Sequence, residues 1–195
     1  MTDIRELDRR AVQAGAEIVA HLTTTDLDRP TPCEGWTARD LLAHMTAQHH
    51  GFAAAARGTG GDPAAWTVHP LGTDPVKTYT AAVEEVLTAF AEPDVLARTF
   101  TLAEFNGRAF PAPLAIGFHF IDYAVHGWDM ARTLGLPYDL DEDLTEAALQ
   151  GALLVPDDDQ RTTPNAAFRP ALPPTGRSPL DHLLAHLGRS PTWPN

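Results

Sequence analysis

Apolar residues recur at helical spacing in several long stretches of the chain, and segments rich in Pro, Gly, Thr and Asp separate them. In residues 3–22, Ile4, Leu7, Val12, Ile18, Val19 and Leu22 fall near a 3.6-residue period with charges between them, which predicts a first helix. Residues 23–36 carry two prolines, a glycine and several Thr and Asp, and predict a loop. Thr37 begins a second helix: its hydroxyl can accept the backbone N–H of Asp40, whose carboxylate can reach back. That helix should run to about Arg57, where Gly58-Thr59-Gly60-Gly61-Asp62-Pro63 stops it. A loop with Trp66 and His69 follows. Asp74-Pro75 opens a third helix carrying Val76, Tyr79, Val83, Val86, Leu87 and Phe90, and it ends before Pro93. Residues 95–110 change character, and Asn106-Gly107 favours a tight turn in a small hairpin or irregular arm. A fourth helix is predicted from about Pro113 to Leu134, closed by Gly135 and Pro137, and a fifth over 141–153. After a Pro- and Asp-rich loop over 155–177, Ser178-Pro179-Leu180-Asp181 starts a short last helix that reaches Leu187.

Helices dominate, so the expected fold is all-α, most simply an up-down four-helix bundle with a small hairpin or irregular arm and extra C-terminal helices. The length of 195 residues suits one domain, 1–195, in which residues 135–195 form a C-terminal extension packed on the bundle. The net charge of −12 comes from 26 acids against 14 bases. With no basic cluster longer than Arg9-Arg10, nucleic acid and anionic membrane are excluded as expected partners. No apolar run approaches the ~20 residues of a membrane span, and the charged start, Met1 to Asp8, resembles neither a signal nor a transit peptide. A cytoplasmic location is expected. One cysteine, Cys33, rules out an intrachain disulfide and a Cys-only zinc site, and it reads as an inert loop thiol. Exposed apolar helix faces are compatible with a homodimer, but no two-fold interface is specified.

On the second helix, Leu41, Met45, Gln48 and Phe52 share one direction, with His44 about 60° away at the edge of that stripe. On the fourth, Phe118, Ile121 and Val125 define an apolar stripe. Asp122 and His126 are stacked neighbours one turn apart, and His119 points nearly the same way. Such a pair facing a His on another helix is a natural divalent-metal site, because helix spacing fixes two ligands at once. Zinc suits it first, with nickel or iron as alternatives. Taken singly, His44 also reads as a structural core histidine, and Asp122–His126 as a simple hydrogen-bonded pair. Gln48 and His119 are candidates for the layer around the ligands, Gln48 also as a filler of the core edge. His49-His50 lies off the apolar direction and is expected in solvent. His182 and His186 form a lesser i,i+4 candidate on the last helix. Arg39 and Arg132 read as surface charges, and Trp36 and Trp128 as wedges that fix where His44 and His126 point.

These residues carry a family resemblance. The run from Pro32-Cys33-Glu34-Gly35-Trp36 to Leu41-Leu42-Ala43-His44 is similar to the N-terminal signature of the DinB-like, mycothiol-dependent maleylpyruvate isomerase-type metal-binding proteins. Asp122-Tyr123-Ala124-Val125-His126-Gly127-Trp128-Asp129 resembles that family's second signature. The tail from Asp181 to Arg189 resembles the end of one actinobacterial branch, which the preference for Arg over Lys also suits. The resemblance implies a DinB-type four-helix bundle with a divalent metal held by His44, Asp122 and His126. It implies a low-molecular-weight thiol such as mycothiol as cosubstrate and a small electrophile as substrate. The activity would be that of a thiol S-transferase or isomerase; alternatives are a metal-dependent hydrolase and a non-catalytic metal-binding or interaction module. Many relatives have His where this chain has Asp122, and the isomerases have Glu.

Overall fold

A computed structural model describes residues 2–163 and 166–194. Four helices form a bundle: α1 (Ile4–Val19), α2 (Ala38–Ala56), α3 (Pro75–Phe90) and α4 (Ala112–Leu134). An antiparallel hairpin of β1 (Thr99–Leu102) and β2 (Arg108–Pro111) precedes α4, and α5 (Glu142–Ala152) and α6 (Pro179–His186) follow it. The fold is thus mostly helical with one small arm, as the sequence pattern predicts.

The helix ends are written in the sequence. Thr37 accepts the backbone N–H of Asp40 while Asp40 accepts that of Thr37, a reciprocal cap that Ser178 and Asp181 repeat on α6. Asp74 caps α3 with Pro75 in its first turn. At the far end of α4, Gly135 adopts φ 71°, and its N–H bonds back to the last carbonyls.

Side-chain pairings fix the helix directions. Asp8 meets His119 and Gly15 lies against Gly127, so α1 and α4 run parallel. His50 and Arg57 bond Glu85, and Arg57 bonds Glu92, so α2 and α3 also run parallel. His44 lies beside His126 and His49 beside His119, which makes α2 and α4 antiparallel. The order is therefore up, down, down, up. Parallel neighbours need a returning connection, and residues 57–74 supply it. On the way back, the Trp66 indole N–H donates to the Gly60 carbonyl, its ring packs on Phe52, and Leu71 joins the core beside Leu41 and Leu42.

The core has three parts. Phe52, Phe90, Phe100 and Ile116 fill the hairpin end. Val12, Leu42, Met45, Tyr79 and Met130 fill the space among α1, α2, α3 and α4. Leu7, Phe120, Leu144, Leu183 and Leu184 bind α5 and α6 to α1 and α4. Each large apolar side chain so buried contributes roughly 1.5–3 kcal/mol. The single stripe of Phe118, Ile121 and Val125 is too narrow a description of α4. That helix is enclosed on nearly every side: Val125 and Ile121 face the α1–α5–α6 core, while Phe118 lies under the hairpin against Phe105 and Phe110.

Candidate metal centre and pocket

His44, nearly two turns into α2, and Asp122 and His126, one turn apart on α4, meet across the bundle. One ligand atom from each lies within 4.8 Å of the others. His126 Nε2 is 3.4 Å from Asp122 Oδ1. Two ligands at ~2.1 Å from one cation in a tetrahedron stand roughly 3.4 Å apart, so this pair already has the spacing that a first-row ion needs. The His44 and His126 rings meet edge to face with centroids 5.3 Å apart.

The other nitrogen of His126 is also held. Nδ1 lies 2.9 Å from Asp129 Oδ2. A carboxylate only accepts, so Nδ1 carries the proton and Nε2 is the atom turned toward Asp122 and His44. A carboxylate behind a ligating imidazole fixes its tautomer and raises its basicity. Asp129 is itself anchored: Arg189 Nη2 donates to the same oxygen at 3.2 Å, and the Cys33 thiol donates to it at 3.2 Å. Asp129, Arg189 and His126 are all buried. Burial alone would raise the Asp129 carboxyl, but the Arg189 charge and the His126 bond hold it below the usual carboxylate range. For His126, burial opposes charge, yet the Asp122 charge and the bond to Asp129 outweigh it and raise the imidazole well above its ordinary value. His44 goes the other way: burial, then the neighbouring His126, lower it to about 4, so it is neutral at physiological pH with a lone pair to offer.

Cys33, His126 and Asp129 form a second group with metal-ligand spacing. Arg189 already supplies a cation there, 3.2 Å from Asp129 and 3.6 Å from the Cys33 sulfur. The donor set of His44, Asp122 and His126 is the one left without such a cation, and His₂-carboxylate chemistry suits a divalent metal.

These groups sit in the wall of a cavity of about 1230 Å³. Trp36 lines its mouth and packs edge-on against His44, with ring centroids 5.0 Å apart. The turn that presents Trp36 is closed by bonds from Thr31 N–H to the Trp36 carbonyl and from Trp36 N–H to the Cys33 carbonyl. Gly35, at φ 80°, supplies its left-handed residue. Trp128 is 5% exposed and acts as a core wedge, whereas Trp36, at 37%, rests on the site itself. Gln48 also lines the cavity, and its Nε2 donates to Glu104 Oε1 at 2.7 Å. Glu104, from the hairpin tip, is raised by desolvation and by the Asp122 charge.

The remaining histidines fall elsewhere. His119 is fully buried and turns into a separate network, with Nδ1 2.6 Å from Asp8 Oδ1 and Nε2 3.1 Å from His49 Nδ1. His49, expected in solvent, is fully buried, stacked on Tyr123 and shielded by α3; only His50 reaches the surface, where it bonds Glu85. His186 faces the Val155 carbonyl and Arg161 and pins the 155–161 loop. The sequence assigns no separate role to Asp129, Arg189, Glu104 or Asp8, and it places His119 around the ligands rather than in the chain it forms with Asp8 and His49. Asp8 had a visible signal, since Ile4, Asp8 and Val12 share one face of α1. Arg189 and Glu104 reach the cavity only through tertiary folding.

Comparison with known proteins decides the family. The profile of the mycothiol maleylpyruvate isomerase N-terminal domain matches residues 9–131. The chain belongs to that family. Two uncharacterized proteins of Mycobacterium tuberculosis, one from strain CDC 1551 / Oshkosh and one from strain H37Rv, are each 33% identical over 187 residues. The alignments cover 93% of this chain and 95% of each relative. The crystal structures of a mycothiol-dependent maleylpyruvate isomerase and of its histidine-to-alanine mutant share the fold. Their TM-scores are 0.56 at 16% and 15% identity, over 78% of this chain and 70% of theirs. The matched profile contains His44, Asp122 and His126 together with the partner Asp129; Arg189 lies beyond it.

Proposed function

We propose that His44, Asp122 and His126 hold a divalent cation, zinc first, and that the protein transfers a low-molecular-weight thiol, mycothiol, to a small electrophile. The observation that carries this reading is the convergence of the three ligand atoms within 4.8 Å in the wall of a large cavity, with His126 braced from behind by Asp129. Membership of a mycothiol-dependent family supports the choice of thiol. A cation bound there supplies one thing: it stabilises the thiolate form of a thiol at neutral pH.

The chain's own residues do the rest. His44 and His126 offer neutral nitrogens, His126 after giving up the proton that Asp122 favours in the metal-free site. Asp122 contributes one negative charge and Asp129 fixes the ring plane of His126. Trp36 covers His44 on the solvent side and limits water access. The cavity exceeds the ~300–1,000 Å³ of an ordinary small-ligand pocket, which leaves room for a thiol and an electrophile together.

The test is elemental analysis of the purified protein, followed by conjugation of mycothiol to a simple alkylating substrate with and without chelator. Bound metal and chelator-sensitive conjugation are expected. Metal without conjugation, accompanied by ester or amide hydrolysis, would replace this reading with a hydrolase.

A further inference from the structure

The cavity also states what kind of electrophile it accepts. Its apolar side is aromatic: Phe105 and Phe118 stack with centroids 5.4 Å apart and planes 19° from parallel, and Ile121 and Phe52 continue the wall. Its rim is apolar as well. Seven large apolar side chains are exposed among the described residues, and four of them, Trp36 (37%), Phe105 (39%), Leu154 (80%) and Leu172 (41%), line this one cavity. Apolar side chains gathered at one opening mark a ligand site rather than random surface.

The charges around the opening are engaged or negative. Among the described lining residues the guanidinium groups are Arg169 and Arg189. Arg189 is tied to Asp129, and Arg169 faces Glu34 at 3.7 Å and donates to the Thr163 carbonyl. With those pairs set aside, and Asp122 balanced by His126 or by the cation it would hold, the carboxylate of Glu104 remains on the cavity wall. A carboxylate-bearing substrate would meet like charge and no uncommitted arginine fork.

We infer that the electrophile is an uncharged molecule with an aromatic or branched apolar body, and that dicarboxylates are disfavoured. This names the substrate class of the thiol-transfer reading and rests on that reading.

The matched pair dimethyl phthalate and phthalate tests it without turnover, since the two differ in charge but share one aromatic body and neither alkylates thiols. Both compete with the uncharged fluorescent probe N-phenyl-1-naphthylamine on the full-length protein as purified, at fixed ionic strength. The diester should displace the probe at a concentration at least ten-fold below that of phthalate. Phe105→Ala, at the exposed hairpin tip, should weaken probe and diester at least about five-fold with metal content unchanged. Glu104→Gln should narrow the gap by strengthening phthalate alone. Phthalate binding as tightly as the diester, or probe binding indifferent to Phe105→Ala, overturns the inference. Metal content and thiol conjugation, measured on the same samples, separate the two readings. A protein that prefers the diester but holds no metal loses only the thiol-transfer reading. One that conjugates thiol but prefers phthalate loses only the substrate class.

Discussion

Arg189 Nη2 lies 3.2 Å from Asp129 Oδ2, the oxygen that accepts the Nδ1–H of His126. The contact joins the segment after α6 to the C-terminal part of α4, with both side chains buried. The C-terminal residues therefore do more than cover the bundle: they hold the carboxylate that orients a candidate ligand.

Asp129→Asn should keep the fold but weaken zinc binding by about 10–100-fold, the usual cost of losing an outer carboxylate partner. Zinc titration of the purified variant checks it. Either change leaves one buried charge of the Arg189–Asp129 pair without its partner, so Asp129→Asn and Arg189→Met should each cost about 3–5 kcal/mol in stability. Urea denaturation measures that, while zinc binding should fall further in Asp129→Asn, which touches the His126 imidazole directly.

What the sequence disclosed and what it hid follow physical lines. Helix ends were legible because caps are local: Thr37 with Asp40 and Ser178 with Asp181 bond as read. The meeting of His44 with Asp122 and His126 was legible because helical phase and the paired signatures agree. The burial of His49 was not. The wheel gave α2 one inward direction, but α3, α4 and the returning Trp66 segment enclose that helix over a wider arc. The parallel run of α2 and α3 was equally hidden, since it depends on a loop that packs back along the bundle. Arg189 was out of reach for a different reason: its partner is 60 residues away in sequence.

His49 should make stability pH-dependent. Burial, and then the neighbouring His119 and His50, push its imidazole well below the ordinary value. In the unfolded chain it takes up a proton as pH falls through about 6.5, whereas in the folded state it stays neutral. The unfolded state then binds one more proton, so this residue's contribution is present above about 6.5 and is lost on acidification, at about 1.4 kcal/mol per pH unit. His49→Gln should flatten the curve of unfolding free energy against pH between 6.5 and 4.5 by about that slope. Parallel curves for the two proteins would contradict it.

Three positions at or beside the tryptophans should respond differently to substitution. Gly51→Ala, in the middle of α2, would gain about 1 kcal/mol on an exposed helix. Here the added methyl enters the Trp66 ring, and the variant should instead lose roughly 1–3 kcal/mol. Trp128→Ala should cost about 3–5 kcal/mol as a buried aromatic. Trp36→Ala should cost far less stability, because it is partly exposed, and should show its effect in ligand binding beside His44. Thermal melts together with probe binding separate the two tryptophans.

In the proposed site, Asp122 should govern both metal affinity and the treatment of a thiol. It sits 3.4 Å from His126 Nε2 and is the one carboxylate among the three converging groups. Asp122→Ala removes a ligand, so metal affinity should fall by more than the ~10–100-fold lost with an outer partner, and conjugation should fall with it. His119 cannot replace it, since both its ring nitrogens are engaged by Asp8 and His49. Asp122→His should retain metal, because imidazole is an equally good ligand. It leaves the site one charge more positive, so a thiol placed there loses its proton at lower pH and its thiolate is the weaker nucleophile. The acid limb of the pH–rate profile should therefore move down, with a lower plateau. Metal content and the pH dependence of mycothiol conjugation, measured on wild type and both variants, carry the test. Full metal and full rate in Asp122→Ala would show that Asp122 is no ligand.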